Sequence, residues 1–412
     1  MVIAGRCLFR GILYNGATVL LLTPGPTPMP ASVRDALARQ AIPHRSPEFE
    51  AVFIANASRL AKVHGAKGPV VAMPGSGTTA FEAAALSLTN AGDRVVVAHA
   101  GKFGERWAQV FKRLGDRAGV RVETASRLWG EPIEEDDLAR ALSRSSEDDV
   151  KLVIVVHSET STATAVDLER LAGVVHRLAP GALLLADCIG SVAAIPLEQD
   201  AWGVDVCVSA SQKGLSAAAG LGFVSVGGRA LTRLDQTHGL APMALDLRWH
   251  LDALANGRPA ATPPINLHFA LAAALDVLDA KTLAGWLVST NVRAHATREA
   301  VRALGLGLPS SAPSDAASAI EIPSQKAEDV CALARERFGV AFAGGHNAWK
   351  GAVVRISHMG AITSDNALSG VRAFAGALQA LDLVGKADAV KAVDVASAAL
   401  AKRESSNNGV TL

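Results

Sequence analysis

Cysteine, aromatic residues and net charge are all scarce in this sequence. Its 412 residues include four cysteines and one tyrosine, aromatic residues make up 4%, and basic residues exceed acidic ones by 40 − 39 = 1. Cysteines this sparse, without a CxxC pair, exclude a disulfide framework and favour a reducing cytoplasmic location. A chain without excess positive charge lacks the field that attracts a nucleic-acid duplex, so we expect no nucleic-acid partner.

The sequence also lacks a long uninterrupted apolar run. Its most apolar stretches, such as 182–186, have the length of a strand, whereas a membrane-spanning helix needs about 20 apolar residues. Near the N-terminus, Asn15 and Gly16 interrupt the apolar residues and argue against a cleaved signal peptide. We therefore expect no membrane partner and interpret residues 1–21 as an N-terminal extension.

What the sequence does contain is an alternation of short apolar runs with helical segments. Half of its residues are hydrophobic and 19% are charged, which excludes a disordered chain. Six apolar runs have strand length, at 68–74, 94–100, 151–159, 181–188, 205–211 and 220–227. Helical periodicity fills most of the intervals, so the pattern predicts an α/β fold with a mostly parallel sheet covered by helices on both faces.

Proline and glycine cluster at 256–264 and mark the end of the strand-rich part of the chain. We assign residues 22–279 to a large α/β domain. The long helical patterns and short strands that follow predict a smaller C-terminal α/β domain over 280–401. The polar residues 402–412 are expected to form a disordered tail.

Two charged residues, Lys213 and Asp187, end two of the predicted strands, 213 − 187 = 26 positions apart. A desolvated lysine has a lowered amine pKa and can form a Schiff base. A carboxylate at the end of a parallel strand commonly faces a ligand crevice. Pyridoxal phosphate requires such a pair, because the lysine binds its aldehyde and the carboxylate keeps its ring nitrogen protonated. Taken singly, Lys213 could cap its strand at the surface, and Asp187 could cap the next turn.

A glycine-containing turn, PGSGTT at 74–79, joins a predicted strand to a predicted helix. Its glycines allow the backbone to approach an anion closely, and the N–H groups at the start of the helix can bind that anion. The sequence lacks both GxGxxG and GxxxxGK[ST], which argues against a dinucleotide or ATP site. The turn therefore suits a single phosphate group.

Together these features resemble the class V aminotransferases of pyridoxal-phosphate fold type I, in particular the alanine/serine–glyoxylate aminotransferase group. The resemblance extends from about Leu22 to Leu381 and rests on the order and spacing of nine stretches. They are TPGPTPMP (23–30), HRSPEF (44–49), GSGTTAFEAA (75–84), GKFGERW (101–107), HSETSTA (157–163), ADCIGS (186–191), SASQKGL (209–215), ATPPINL (261–267) and VVRISHMG (353–360). The resemblance implies a seven-stranded sheet, a smaller C-terminal domain, an active-site arm at 22–50 and a homodimer.

For the cofactor, pyridoxal 5'-phosphate, the resemblance implies contacts residue by residue. Lys213 would form the Schiff base, and Asp187 would pair with the pyridine nitrogen. Phe103 would stack on one face of the ring and Ile189 would pack on the other, while Thr160 would hydrogen-bond near the phenolic oxygen. The phosphate group would be bound by Ser76, Gly77, Thr78 and Gln212, together with Thr262 of the partner subunit.

Two further residues would contact the substrate. Arg355 would bind its carboxylate in a two-pronged ion pair, and Gly25 would line its pocket. The motifs call for no metal. Three positions depart from the family pattern, with Pro259 where many members have a phosphate-binding Tyr, Thr78 where animal members have His, and Phe103 where Trp is frequent.

The resulting interpretation is a transaminase that moves an amino group between a small amino acid, alanine or serine, and glyoxylate or pyruvate in a ping-pong reaction. An alternative on the same fold is a lyase or cysteine desulfurase, and a desulfurase needs a reactive cysteine in a mobile glycine- and serine-rich loop. A nucleotide-binding oxidoreductase on a Rossmann sheet is a third interpretation, but it leaves Lys213 without a role.

Overall fold

The computed structural model describes residues 19–144 and 150–407, with side chains described through Lys402. Its strands are β1 (Leu20–Leu21), β2 (Val70–Pro74), β3 (Arg94–His99), β4 (Arg121–Ser126), β5 (Val150–Val156), β6 (Ser158–Glu159), β7 (Thr164–Ala165), β8 (Leu183–Asp187), β9 (Val206–Ala210), β10 (Leu221–Val226), β11 (Ala317–Glu321), β12 (Val340–Ala341), β13 (Ala343–Gly344) and β14 (Val353–Ser357). Its helices are α1 (Ala31–Leu37), α2 (Pro47–His64), α3 (Gly77–Leu88), α4 (Lys102–Ala118), α5 (Glu135–Ser143), α6 (Leu168–Leu178), α7 (Gly228–Gln236), α8 (Leu247–Ala255), α9 (Ile265–Asp279), α10 (Leu283–Ala303), α11 (Ala327–Phe338), α12 (Ser364–Ala380) and α13 (Lys386–Asn407).

A seven-stranded sheet with the order β2-β10-β9-β8-β5-β3-β4 forms the centre of the larger part of the molecule. Its neighbouring strands run parallel, except where β10 pairs with β2 and with β9. The predicted mostly parallel seven-stranded sheet is confirmed.

Helices cover both faces of this sheet, which explains why its central strands are continuously apolar. Along β5, Val153 and Val155 belong to the buried cluster on one face, whereas Leu152 and Ile154 belong to the cluster on the other. Helices α5, α6 and α9 contribute to the first cluster, and α3, α4 and α7 contribute to the second. Successive strand residues point to opposite faces, so burying both faces requires an apolar residue at every position.

The edge strand β4 was missing from the six apolar runs found in the sequence. Its residues RVETAS include two charged side chains, and only Ala125 is buried. An edge strand has one side without a neighbour, and polar residues there discourage pairing with other chains. The apolar pattern used to recognise the central strands therefore does not apply to β4.

The register of the central strands brings the two charged strand ends together. Strands β5, β8 and β9 lie side by side, and Asp187 pairs with Val156 on one side and with Val208 on the other. Lys213 follows β9 three residues after its end at Ala210. Carboxyl ends of parallel strands commonly form the wall of a ligand crevice, and both residues lie at that edge of the sheet.

A separate buried cluster fills the C-terminal part of the molecule, where α10 to α13 pack around the three-stranded sheet β11-β14-β13. Strand β1 lies just before residue 22, the predicted boundary between the N-terminal extension and the large domain. Strand β1 pairs in parallel with β12, and Leu22 belongs to the C-terminal cluster. Residues 20–22 thus pack on the C-terminal part, because β1 and β12 form a separate two-stranded sheet and Leu22 enters the buried cluster. Residues 1–18 lie outside the described part.

The C-terminal boundary also differs from the expectation. Helix α13 continues through Asn407, so the tail predicted for 402–412 is helical over its first six residues. Residues 408–412 lie outside the described range. Across the described segments, none of the helices has both the length and the apolar composition that crossing a bilayer would require.

Candidate active site

A cavity of about 350 Å³ lies at the carboxyl ends of β8 and β9. Lys213 and Asp187 both line it, so the two charged strand ends face the same space. Ten of the twelve predicted site residues form part of its wall, namely Gly25, Ser76, Gly77, Thr78, Phe103, Thr160, Asp187, Ile189, Gln212 and Lys213. A cavity of this size suits a small molecule.

The amine of Lys213 lies inside the protein and donates a hydrogen bond to the carbonyl oxygen of Pro24. Burial lowers the pKa of this amine to about 8, and the negative charge of Asp187 opposes the shift. The chain passes so close that a Cβ atom at Gly25 would lie 2.6 Å from Cδ and Cε of Lys213, and the φ of Gly25 is +107°. The backbone conformation at position 25 therefore favours glycine, and a side chain there would also displace the end of the Lys213 side chain.

The backbone of Lys213 is held by the N-terminal arm. Thr27 is buried, and its hydroxyl donates to the carbonyl oxygen of Lys213 at 2.8 Å. The same hydroxyl lies 3.2 Å from Oγ of Ser216, which in turn accepts a hydrogen bond from the N–H of Ala361 at 2.7 Å. The arm and the segment after β14 thus meet at the lysine loop and fix where its side chain begins.

Asp187 is buried at the end of β8, and both of its oxygens accept hydrogen bonds. Nε1 of Trp107 donates to Oδ2 at 2.6 Å, and the N–H of Ile189 donates to Oδ1 at 2.9 Å. Burial raises the pKa of Asp187 to about 7, although both hydrogen bonds oppose the shift. The donors are neutral, so a cationic N–H in the cavity would strongly favour the ionised carboxylate.

Helix α3 presents its N-terminus to the cavity. Ser76 caps it, because Oγ of Ser76 accepts from the N–H of Thr79 at 3.4 Å while Oγ1 of Thr79 accepts from the N–H of Ser76 at 3.1 Å. Gly77 opens the helix in close contact with Ile189, since a Cβ atom at position 77 would collide with that side chain. The N–H groups of the first turn and the helix dipole make this end suited to an anion.

An aromatic ring and a buried glutamate define the neighbouring wall. Phe103 stands in the first turn of α4 and lines the cavity. Oε2 of Glu159 accepts hydrogen bonds from the N–H groups of Phe103 and Gly104, both at 3.0 Å. Glu159 thereby caps α4, whose own N-cap residue is Gly101. Burial raises the pKa of Glu159, against the effect of its hydrogen bonds.

Arg355 lies on β14 and does not form part of the cavity wall itself. Its buried guanidinium donates to the carbonyl oxygens of Thr160 and Gly344, both at 2.9 Å, and lies 3.1 Å from Nε2 of His346. None of these partners carries negative charge. Burial lowers the pKa of Arg355 to about 10, and the charge of Glu159 opposes the shift. Through Thr160, Arg355 adjoins the cavity as a cation without a charged partner among these contacts.

Thr262 is the other predicted site residue away from the cavity. It is exposed and borders a separate small hollow, together with Pro259. In this chain it therefore does not share the space lined by Lys213.

The structure brings to the site five residues that were not predicted from the sequence, namely Thr27, Arg106, Trp107, Glu159 and His346. Four of them lie beside assigned positions, in TPGPTPMP, GKFGERW and HSETSTA, where each stretch was reduced to one residue. The one signal available in the sequence was membership of these stretches, since Trp107, for example, lies four positions after Phe103 in GKFGERW. His346 lies outside the quoted stretches, and its position near Arg355 depends on the pairing of β13 with β14.

The residues around the cavity fit pyridoxal phosphate. Lys213 provides a buried amine whose pKa is lowered toward neutrality, and Asp187 provides a buried carboxylate that lacks a cationic partner in its hydrogen bonds. The helix end at Gly77 can take a phosphate group, and Phe103 offers a flat apolar surface within the same wall. This donor set matches an aldehyde, a basic ring nitrogen and a phosphate on one small molecule.

Comparison with known proteins agrees with this geometry. The family model described as "Aminotransferase class-V" matches residues 19–400. A protein named serine–glyoxylate aminotransferase from Methylorubrum extorquens is 32% identical over 370 residues, which cover 88% of this chain and 90% of that protein. A protein named as the small subunit of a soluble hydrogenase from a Synechococcus species is 38% identical over 366 residues, covering 88% and 93%. The structure of a subgroup IV aspartate aminotransferase from Thermus thermophilus matches with a TM-score of 0.79 and 33% identity, covering 87% and 99%.

The family match spans nearly the whole described chain and includes both the sheet edge and the C-terminal part. The solved relative shares the fold over almost its full length. With a buried lysine and a buried carboxylate facing one cavity, the chain belongs to the class V aminotransferases and is a pyridoxal-phosphate-dependent transaminase of fold type I.

Proposed function

We propose that this transaminase moves an amino group between a small amino acid, serine or alanine, and a small 2-oxo acid, glyoxylate or pyruvate. The observation that carries the proposal is Arg355, a buried cation that adjoins the cavity through Thr160 and has neutral hydrogen-bonding partners. A guanidinium in this position is suited to the carboxylate that every amino acid and 2-oxo acid carries.

The volume of the cavity supports small substrates. About 350 Å³ must hold both the cofactor and the substrate, and this volume is near the lower end for small-molecule sites. The relative from Methylorubrum extorquens is named for serine and glyoxylate, which are small compounds. The relative named as a hydrogenase subunit matches a similar share of this chain. The lysine, the carboxylate and the aromatic ring around one cavity favour transamination over a hydrogenase function.

Bound pyridoxal phosphate would supply an aldehyde that takes up the amino group and a cationic ring that delocalises the electrons left on the α-carbon. Lys213 is the residue that we assign to proton transfer at that carbon. Its amine is neutral above a pKa of about 8, and a neutral amine can accept the proton and return it. The contact between Pro24 and Nζ holds this amine at the cavity wall.

Asp187 would keep the ring nitrogen protonated. An ionised carboxylate in this buried position is unfavourable on its own, as the raised pKa of Asp187 indicates. A cationic partner in the cavity would favour the ionised form of Asp187, so the carboxylate and the ring N–H would stabilise each other. Trp107 and the N–H of Ile189 fix the direction of both carboxylate oxygens.

Assembly, location and domain division are further parts of the proposal. Thr262 is exposed and lies away from the cavity of its own chain, which is consistent with a homodimer in which it reaches the phosphate group of the partner. Four scattered cysteines favour the cytoplasm as the location. Separate buried clusters support a large and a small domain, with the arm residue Leu22 packed in the small one.

A cysteine desulfurase on the same fold has little support from the described cysteines. Cys188 and Cys207 are fully buried. Cys331 lies in α11, where burial raises its pKa to about 12. Cys7 lies outside the described residues. A reactive thiol needs a lowered pKa and access to solvent, and these three described positions do not combine the two.

The substrate proposal is tested by assaying the purified holoenzyme with serine, alanine, aspartate and cysteine as donors and with glyoxylate and pyruvate as acceptors. We expect serine or alanine to exceed aspartate in kcat/KM by about tenfold or more, because the small cavity discriminates against a longer, charged side chain. A preference for aspartate would contradict the substrate assignment. Release of sulfide from cysteine without any acceptor would favour the desulfurase instead.

A further inference from the structure

We infer that Arg106 binds the phosphate group of the cofactor, an inference that rests on the cofactor site described above. Arg106 lies near the start of α4 and lines the cavity. Its Nη1 donates to Oγ1 of Thr78 at 3.2 Å. Thr78 is the second residue of α3, so the guanidinium reaches the helix end that is suited to an anion.

The first turn of α3 uses part of its hydrogen-bonding capacity internally. The N–H groups of Ser76 and Thr79 donate to each other's hydroxyl oxygens. The N–H groups of Gly77 and Thr78 precede the first intrahelical hydrogen bonds of α3, which leaves them available to a ligand. Two backbone N–H groups alone are a small donor set for the three oxygens of a phosphate.

The negative charge of the phosphate group also calls for a further residue at this end of the cavity. A phosphate monoester carries about −1.5 to −2 charges at neutral pH, whereas a helix N-terminus provides about half a positive charge. The predicted phosphate contacts from Ser76, Thr78 and Gln212 are neutral side chains. These neutral side chains and the helix end do not neutralise the phosphate group, and a cation at the same end of the cavity would supply the missing positive charge.

Within the described ranges, the cationic side chains of Lys213, Arg106 and Arg355 lie at or beside the cavity, and their contacts distinguish them. Lys213 is assigned to the aldehyde, and its amine donates to Pro24. Arg355 is directed to the carbonyl of Thr160 and to other groups of the C-terminal part. Of the three, Arg106 is the one that contacts the first turn of α3.

The side chain of Arg106 is already positioned. Its Cζ atom lies 5.0 Å from the ring centroid of Phe103, a cation–π contact that restricts the guanidinium. A guanidinium has five N–H donors in a planar fork, so the bond to Thr78 leaves donors for two phosphate oxygens. Arg106 thus contacts both the proposed phosphate-binding turn and Phe103, the aromatic residue of the cavity wall.

In the competing assignment, Arg106 binds the second carboxylate of a dicarboxylic substrate. Burial, together with the positive charges of Arg355, Lys102 and Arg106, lowers the pKa of His346 to about 4. The field of Arg106 therefore extends toward the residues that adjoin Arg355. The hydrogen bond to Thr78 favours the phosphate, and the two assignments differ in which ligand loses affinity when Arg106 is replaced.

The test compares Arg106→Gln, Arg106→Lys and the matched control Arg113→Gln, which changes an exposed arginine on the same helix. Each cofactor-free protein is titrated with pyridoxal phosphate and with pyridoxal, which lacks the phosphate, while tryptophan fluorescence is followed. We expect R106Q to weaken pyridoxal phosphate about tenfold or more and pyridoxal less than about twofold, since a charge-assisted contact is lost for one ligand only. R106K should retain part of the affinity, and R113Q should match the unmodified protein.

Two further readouts are the ³¹P resonance of the bound cofactor and the KM for aspartate. The ³¹P resonance of the bound cofactor should titrate at higher pH in R106Q, because a nearby cation favours the dianion. Equal losses for both ligands, or unchanged cofactor affinity with a raised KM for aspartate, would overturn the inference. If the unmodified protein binds pyridoxal phosphate no better than pyridoxal, the proposed phosphate site fails as well. If it prefers pyridoxal phosphate and R106Q keeps that preference, only the role of Arg106 fails.

Discussion

At Lys213, burial lowers the amine pKa to about 8 from an ordinary value near 10.5. The shift favours the neutral form, which is the form that attacks an aldehyde and accepts a proton. We expect reductive methylation of Lys213 in the cofactor-free protein to accelerate with pH and to reach half its maximum near pH 8. Below that pH the reactive fraction should fall about tenfold per unit.

Peptide mass spectrometry measures this rate for Lys213, with the exposed Lys112 as an internal reference. The negative charge of Asp187 raises the pKa of Lys213. Asp187→Asn removes that charge, so the midpoint of Lys213 should move to lower pH. A midpoint that stays near pH 10 in both proteins would show that the amine is solvated.

Arg355 is expected to act on substrate binding, because its guanidinium adjoins the cavity with neutral partners. Arg355→Lys keeps a positive charge but loses the two-pronged geometry, and we expect KM for the amino donor to rise about tenfold or more. Cofactor affinity should stay within about twofold. Arg372→Ala, which changes an exposed arginine on α12, is the matched control, and an unchanged KM in R355K would contradict this role.

The sequence revealed residues whose chemistry is unusual for their surroundings. A lysine and an aspartate at the ends of apolar strands are conspicuous, and Lys213 and Asp187 line the same cavity. Trp107 and Glu159 were not recognised, since a tryptophan or glutamate in a mixed segment has no distinctive pattern. Their roles depend on which N–H groups and oxygens the fold brings within about 3 Å, and that information is absent from one-dimensional spacing.

At the scale of elements, Glu159 links β6 to the start of α4. Glu159→Ala would remove the acceptor of the buried N–H of Gly104 and of the partly buried N–H of Phe103, and we expect it to lower the free energy of unfolding by about 1–3 kcal/mol. Glu159→Gln retains an acceptor oxygen and should lose less. Urea denaturation of the cofactor-free proteins measures both changes.

The control for this capping contact is Glu169→Ala, which removes an exposed glutamate from α6. If E159A and E169A are equally stable, the contact to α4 does not contribute to stability. A loss of stability in E159A together with weaker cofactor binding would indicate that the cap also positions Phe103.

Elements buried on both faces were predictable, and elements that depend on a distant partner were not. The central strands were recognised because helices on both faces require continuous apolar residues. Strand β4 is polar, and β1 consists of two residues whose partner β12 lies about 320 positions later. Pairing over such a distance leaves no periodic signal in the sequence, so the role of residues 20–22 emerged only from the fold.

At the scale of the whole molecule, the proposed homodimer makes a prediction about mixed subunits. If Thr262 serves the partner's site, a Lys213→Ala chain and a Thr262→Glu chain should each form inactive homodimers. A mixed dimer contains one site with both substitutions and one site with neither. Refolding the two chains together should therefore restore activity, up to about half of normal in each mixed dimer.

Size-exclusion chromatography with light scattering checks the dimer, and separately tagged chains allow the mixed species to be isolated. Activity that does not recover in isolated mixed dimers would place Thr262 outside the partner's site. A monomer that is fully active would contradict the shared site altogether.

The central claim is that the amine of Lys213 bonds to the aldehyde of pyridoxal phosphate beside the carboxylate of Asp187. The most direct measurement is reduction of the holoenzyme with borohydride, followed by digestion and mass spectrometry of the peptides. We expect one stoichiometric pyridoxyl-phosphate adduct on Lys213 and bleaching of the visible absorbance, with no such adduct in Lys213→Arg. An adduct on a different lysine, or no adduct in a protein that retains transaminase activity, would contradict it.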